Sequence, residues 1–148
     1  MVDKNYWASD LPLPLSPSDK DYQIFLSYRK WGSVLLLGCT RRLIGLATKV
    51  MDIDPWHEAD YVIKQDWVTN TEQYDTIMID GGLCFTKELC DCVLEMASKH
   101  CKTFVARSFN HKLDTMRIAN YFPKREDFAI EPTETRIFKD YSFFIWEF

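Results

Sequence analysis

Three short apolar runs dominate the sequence: Val34-Leu-Leu-Leu37, Thr76-Ile-Met-Ile79 and Thr103-Phe-Val-Ala106. Each is too short for a helix, and each ends at glycine or a charged residue. An unbroken apolar run of this length marks a strand buried on both faces, and strands of that kind belong to parallel sheets covered by helices. Lys49-Val-Met-Asp-Ile53, stopped by Pro55, is a further strand of the series, and Tyr61-Val-Ile63 a short one.

Between them lie helical signals. Leu89, Val93, Met96 and Ala97 recur at helical spacing from Thr86 to His100, with Lys87, Glu88, Asp91 and Glu95 on the outer side. Tyr22, Phe25, Leu26 and Arg29 predict a helix over about 17–30, with Ser16 as N-cap, Pro17 in the first helical position and Asp19 as capping partner. The preceding Leu11-Pro-Leu-Pro-Leu-Ser-Pro17 is extended, because its prolines remove donors and fix the backbone. Leu113, Met116, Ile118 and Tyr121 predict a short helix closed by Pro123, and Phe128-Ala-Ile130 and Ile137 to Phe148 read as late strands. The segment from Cys39 to Thr48 is short for a parallel crossover, so any helix there has one or two turns. The whole is one α/β domain, with a Pro-rich opening and N-terminal helix in 1–31 and the core in 33–148.

Composition narrows the function classes. With 47% hydrophobic and 15% aromatic residues in 148, the chain can build a core without staples. A net charge of −4 and a pI near 5.3 disfavour broad capture of nucleic acid or of an anionic membrane. No apolar run approaches the ~18 residues of a membrane helix. Met1 to Asp10 lacks the apolar centre of a signal peptide, so the expected location is cytoplasmic. Five cysteines, with no C-x-x-C spacing, are expected to be reduced thiols. Cys90, Cys92, His100 and Cys101 do not have the spacing of a zinc site, so no metal is expected.

In parallel sheets ligands sit beyond the carboxyl ends of the strands. Leu37-Gly38-Cys39-Thr40 ends the first strand, where glycine admits a close approach and the following amides face outward. Asp52 ends the second, with Asp54 beyond it, and a carboxylate there can accept both hydroxyls of a ribose. The third end carries Gln65-Asp66-Trp67, whose acid can take an exocyclic amine while the indole stacks on a base. Asp80-Gly81-Gly82 closes the fourth. Taken singly, each has a plain structural reading as a turn glycine, a capping acid or a rim aromatic. In this order they lay out a nucleoside-binding crevice.

The stretch from Val34 to Phe109 resembles the class I S-adenosylmethionine-dependent methyltransferases. The matching segments are Leu35-Leu-Leu-Gly-Cys-Thr40, Val50-Met-Asp-Ile-Asp-Pro55, Gln65-Asp-Trp67, Met78-Ile-Asp-Gly-Gly82 and Phe104-Val-Ala-Arg-Ser-Phe109. They are closest to a compact subgroup with Leu-Gly-x-Thr, Asp-Trp and Asp-Gly strand ends. The resemblance implies a Rossmann-like, mostly parallel sheet with helices on both faces and an antiparallel C-terminal strand. It implies S-adenosylmethionine (SAM) as cofactor, held by Leu37, Gly38, Cys39, Thr40, Asp52, Ile53, Asp66, Trp67, Asp80 and Gly81, and a small-molecule methyl acceptor. The glycine-rich first loop of that family is here reduced to Gly-Cys-Thr-Arg-Arg, and little chain remains for a cap over the substrate.

Where the acceptor must lose a proton, Asp80 and His111 are the candidate bases, with His57 behind them. Arg107 could bind an anionic acceptor or pair with Asp80 or Glu95. Arg41 and Arg42 are a short basic pair that reads as a solvated turn. No Asn-Pro-Pro-Tyr motif of amino-group DNA methyltransferases is present. Two other readings stay open here. One is a non-catalytic domain of the same fold that binds SAM or a protein partner, for which Phe143, Phe144, Trp146 and Phe148 could form a homo-oligomer edge, although their alternating positions favour the core. The other is a dinucleotide oxidoreductase, against which count the missing G-x-G-x-x-G and an acid 14 positions after Gly38 rather than ~20.

Overall fold

The computed structural model describes residues 20–29, 32–38, 40, 43–55, 58–84, 86–112 and 120–148. Its elements run α1 (Lys20–Tyr28), β1 (Val34–Leu37), β2 (Lys49–Asp52), β3 (Val62–Lys64), β4 (Tyr74–Asp80), α2 (Lys87–His100), β5 (Cys101–Phe109), β6 (Glu134–Ile137) and β7 (Tyr141–Glu147). All seven strands join one sheet in the order β3-β2-β1-β4-β5-β7-β6. The first five are parallel, and β7 runs antiparallel between β5 and β6.

Strand alternation splits the core in two. Leu35, Leu37, Ile77, Ile79, Phe104 and Ala106 point to one face, where Cys90, Val93, Leu94 and Ala97 of α2 cover them. Val34, Leu36, Val50, Met78 and Val105 point to the other, beneath Ile24 and Phe25 of α1. The unbroken apolar runs follow from this, since a strand with a helix on each side has no solvent face. Helix α2 begins where the sequence places it: the Thr86 hydroxyl accepts the Leu89 amide at 3.1 Å, a cap that stabilises by about 1 kcal/mol. Phe25 is fully buried and meets Phe143 edge-on at 5.1 Å, which docks α1 on β7. The first crossover reduces to a single turn, Ile44–Leu46.

One expected strand is absent. Phe128-Ala-Ile130 follows a turn at Arg125–Asp127 and pairs with no strand. Its backbone is used differently: Phe128 sits edge-on to Phe144 at 4.8 Å and to Trp146 at 5.0 Å. The Ile130 carbonyl accepts the Trp146 indole N–H at 2.8 Å, a side-chain bond in place of a ladder bond. The edge strand begins only at Glu134, past Pro132. Phe143, Phe144 and Trp146 are core residues, leaving Phe148 as the exposed aromatic of the C-terminal set. The expected N-cap at Ser16, and most of the helix expected from Leu113 to Tyr121, lie outside the described residues; Asn120 and Tyr121 themselves are not helical.

Candidate functional site

At the carboxyl end of β1 the backbone turns sharply. Gly38 takes φ +96°, a conformation that costs a side-chain-bearing residue about 1–2 kcal/mol. Its amide donates to the Met51 carbonyl of β2 at 2.8 Å, and the Thr40 amide folds back onto the Gly38 carbonyl at 2.8 Å. This turn buries Thr40, whose Oγ1 has no hydrogen-bond partner among the described residues. Cys39 between them lies outside the described residues, as do Arg41, Arg42 and His57.

Asp52 closes β2. Although a carboxylate, it is 93% buried by residue, and its Oδ1 accepts the Asp54 amide at 3.1 Å in a tight turn. Next to it Ile53 is 65% exposed, an apolar side chain left open at a strand tip. Asp66 caps the turn Trp67–Thr69 through the Val68 amide and is itself exposed. Trp67 does something the sequence does not announce. Its indole N–H donates to the Met51 carbonyl at 2.8 Å, so that one oxygen gathers Gly38 and Trp67 together. A Cβ on Gly38 would stand 3.4 Å from its Cζ2, and one on Gly82 only 2.9 Å from its Cη2. The half-buried indole thus ties the tips of β1, β2 and β4 into one surface.

Asp80 at the end of β4 is committed on one side. Its Oδ1 accepts Arg107 Nε at 2.6 Å, and Arg107 Nη1 continues to Asp21 Oδ2 of α1 at 2.8 Å. All three side chains are 15% exposed or less. Burial works against the guanidinium charge, but the Asp80 and Asp21 carboxylates outweigh it and hold Arg107 above the ordinary arginine value. Of the two partners the sequence suggests for Arg107, the structure selects Asp80; Asp21, on a helix far away in the chain, has no signal in the local spacing. Gly81 takes φ +80° and donates its amide to the Arg107 carbonyl at 2.8 Å. His111, past the end of β5, bonds elsewhere: Nε2 lies 2.9 Å from Asp140 Oδ1 in the β6–β7 turn, and Nδ1 3.2 Å from the Lys112 carbonyl. Among the described residues no three His, Cys, Asp or Glu side chains gather as metal ligands.

A sheet ordered β3-β2-β1-β4-β5-β7-β6, five strands parallel and β7 alone reversed against its neighbours, is an α/β Rossmann-like fold. Two solved structures similar to this chain, both of one methyltransferase, share that fold. Magnesium protoporphyrin IX methyltransferase (ChlM) from Synechocystis PCC 6803 with bound SAM superposes with a TM-score of 0.54 and 16% identity, over 77% of this chain and 68% of that one. The same enzyme with bound SAH gives 0.56 and 14% identity, over 84% and 78%. No family model matches the chain, and no curated protein matches it in sequence. At these identities the likeness establishes the fold. Among the described residues no helix is long and apolar enough to cross a membrane.

Proposed function

We propose that the protein binds SAM across the tips of β1, β2 and β4 and transfers its methyl group to a small-molecule acceptor. The observation that carries this reading is the pairing, at the carboxyl ends of neighbouring β1 and β2, of the Thr40 hydroxyl, which like those of Ser108 and Thr135 is buried without a partner among the described residues, with the exposed apolar side chain of Ile53. A buried hydroxyl left unsatisfied costs about 1–3 kcal/mol, a cost that a ligand's polar group would remove. Around it stand groups suited to an adenosyl ligand. Asp52 accepts ribose hydroxyls, the exposed Asp66 accepts the adenine amine, and the open side chain of Ile53 lies against the base. Binding of SAM or SAH by the fold neighbours supports the choice of ligand.

SAM supplies an activated methyl group, so what remains for the protein is alignment and exclusion of water. The indole of Trp67 and the turn at Gly38 form a fixed floor under the ligand, and Asp52 sets its position along the strand tips. Arg107, held by two carboxylates, is not available to an anionic acceptor. An acceptor that must lose a proton would use Asp80, whose Oδ1 alone is taken by Arg107.

Titration calorimetry with SAM, SAH and NAD tests the reading. The two adenosyl compounds should bind in the micromolar range and NAD should not bind. Asp52→Ala should weaken SAH binding by about tenfold or more, ~1.4 kcal/mol. An unchanged affinity would remove Asp52 from the site, and no binding of either adenosyl compound would overturn the proposal. Binding by a protein that releases no SAH with any small-molecule acceptor pool would leave a ligand-binding domain in place of an enzyme.

A further inference from the structure

We infer that Asp21, on the first helix, is a positioning residue for the carboxylate of Asp80 and acts on it through Arg107. The inference rests on the adenosyl-site reading above and adds to it a remote control on the site's β4 side.

The geometry begins with the guanidinium. It is planar, and its Nε and Nη1 donors are fixed relative to each other. With Nε on Asp80 Oδ1 at 2.6 Å and Nη1 on Asp21 Oδ2 at 2.8 Å, neither carboxylate can turn the group without disturbing the other. Lysine, a single point charge, could not bridge the two in this way. The guanidinium is further confined by rings, with its carbon 5.1 Å from the Tyr141 centroid and 5.8 Å from that of Phe109. Asp80 and Arg107 are register partners on β4 and β5, so their backbones are already fixed. The adjustable member is Asp21.

Helix α1 anchors it. Ile24 and Phe25 lie three and four residues further on, one turn along the same face, and both are buried against the sheet. Docking of Phe25 on Phe143 therefore sets where the Asp21 carboxylate stands, and that sets the rotation of Arg107. Arg107 in turn fixes Oδ1 of Asp80, which leaves Oδ2, without a hydrogen bond among the described residues, as the oxygen that can meet a ligand. A purely structural Asp21 would lower stability on removal and leave SAH affinity unchanged.

A double-mutant cycle on the full chain separates the two roles, with SAH affinity measured by calorimetry and melting temperature alongside. Asp21→Asn should weaken SAH binding about fivefold and Asp80→Asn by about as much or more. The double variant should bind no worse than Asp80→Asn alone, because Asp21 has nothing left to position. Arg107→Lys, which keeps the charge and loses the bridge, should reproduce the Asp21→Asn loss. Losses that multiply in the double variant, or an unchanged affinity in Asp21→Asn, would overturn the inference while leaving the adenosyl site standing. Failure of the unsubstituted protein to bind SAH or SAM would overturn that site and this inference with it.

Discussion

Replacing Gly82 by alanine should destabilise the protein even though Gly82 has no unusual backbone angle. An added Cβ would lie 2.4 Å from Cδ1 and 2.8 Å from Cγ1 of Ile79, and 2.9 Å from Cη2 of Trp67. Carbon atoms prefer about 3.5–4.0 Å, so each of the three must give way. Neither neighbour yields easily. Ile79 is fully buried on the α2 face, and the Trp67 indole is pinned by its bond to the Met51 carbonyl. Overpacking of this kind costs about 1–3 kcal/mol. Alanine regains about 0.4–1 kcal/mol by restricting the unfolded chain, which leaves a net loss of roughly 1.3 kcal/mol at the middle of both ranges. In a chain of this length each kcal/mol lowers the melting temperature by about 2–4 °C. Ile79→Val supplies the control, since it deletes Cδ1, the atom at 2.4 Å. Alone it should cost about 0.5–1.5 kcal/mol. Combined with Gly82→Ala, it should leave the protein more stable than the sum of the single losses by about 1 kcal/mol. Urea unfolding followed by circular dichroism measures all three variants. A Gly82→Ala change within about 0.5 kcal/mol of the unsubstituted protein, or strict additivity of the pair, would refute the reasoning.

Two further outcomes concern groups away from the carboxyl ends of β1 and β2. Asp75 accepts the Ser33 amide at 2.9 Å and faces Lys102 at 3.4 Å; the Ser33 backbone bond, followed by Lys102, holds its carboxyl below the ordinary value. The stability this adds is present above the unfolded-state value of about 4 and is lost as pH falls through the lower folded value. Asp75→Asn should therefore narrow its deficit against the parent protein only below about pH 4, as acid titration of unfolding would record; a deficit that persists unchanged through acid would contradict this. Burial pushes the Cys101 thiol up to about 12, so at pH 8 only about one molecule in ten thousand carries the thiolate. Iodoacetamide on the native protein should label the exposed Cys92 and spare Cys101 until urea unfolds the chain, with peptide mass mapping as the readout; equal labelling rates would count against the burial.

The sheet was legible because its strands have no solvent face. Val34–Leu37 and the Ile77–Ile79 centre of β4 sit between two helical layers, and a strand segment in that position has no solvent face to carry polar side chains. Helix α2 was legible for the complementary reason, a 3.6-residue period with Thr86 at its start. Phe128–Ile130 misled because a short apolar run records burial and not hydrogen bonding. Phe128 is buried among Phe144 and Trp146 as any core strand residue would be, while the backbone pairs with an indole. At the strand tips the residue types were legible and their partners were not. Arg107 could be matched to Asp80 through strand order, but Asp21 reaches it only because α1 crosses the sheet above β5, a consequence of packing that no spacing along the chain encodes.

The glycines at the strand tips show why residue type alone cannot locate a ligand. Gly38 and Gly82 read as clearance for something that approaches the backbone, and something does: the Trp67 indole stands against both. Their presence is explained within the chain, so they add little to the case for a ligand. Features with no internal explanation carry more weight where two of different kinds meet at one end of the sheet, since departures from a sequence's local rules concentrate at functional or strained sites. Thr40 buries a hydroxyl without a partner among the described residues, and Ile53 leaves an apolar side chain open beside the buried carboxylate of Asp52. One asks for a polar group and the other for an apolar surface, on adjacent strand tips. A nucleoside with a charged tail, the kind of ligand proposed above, has both.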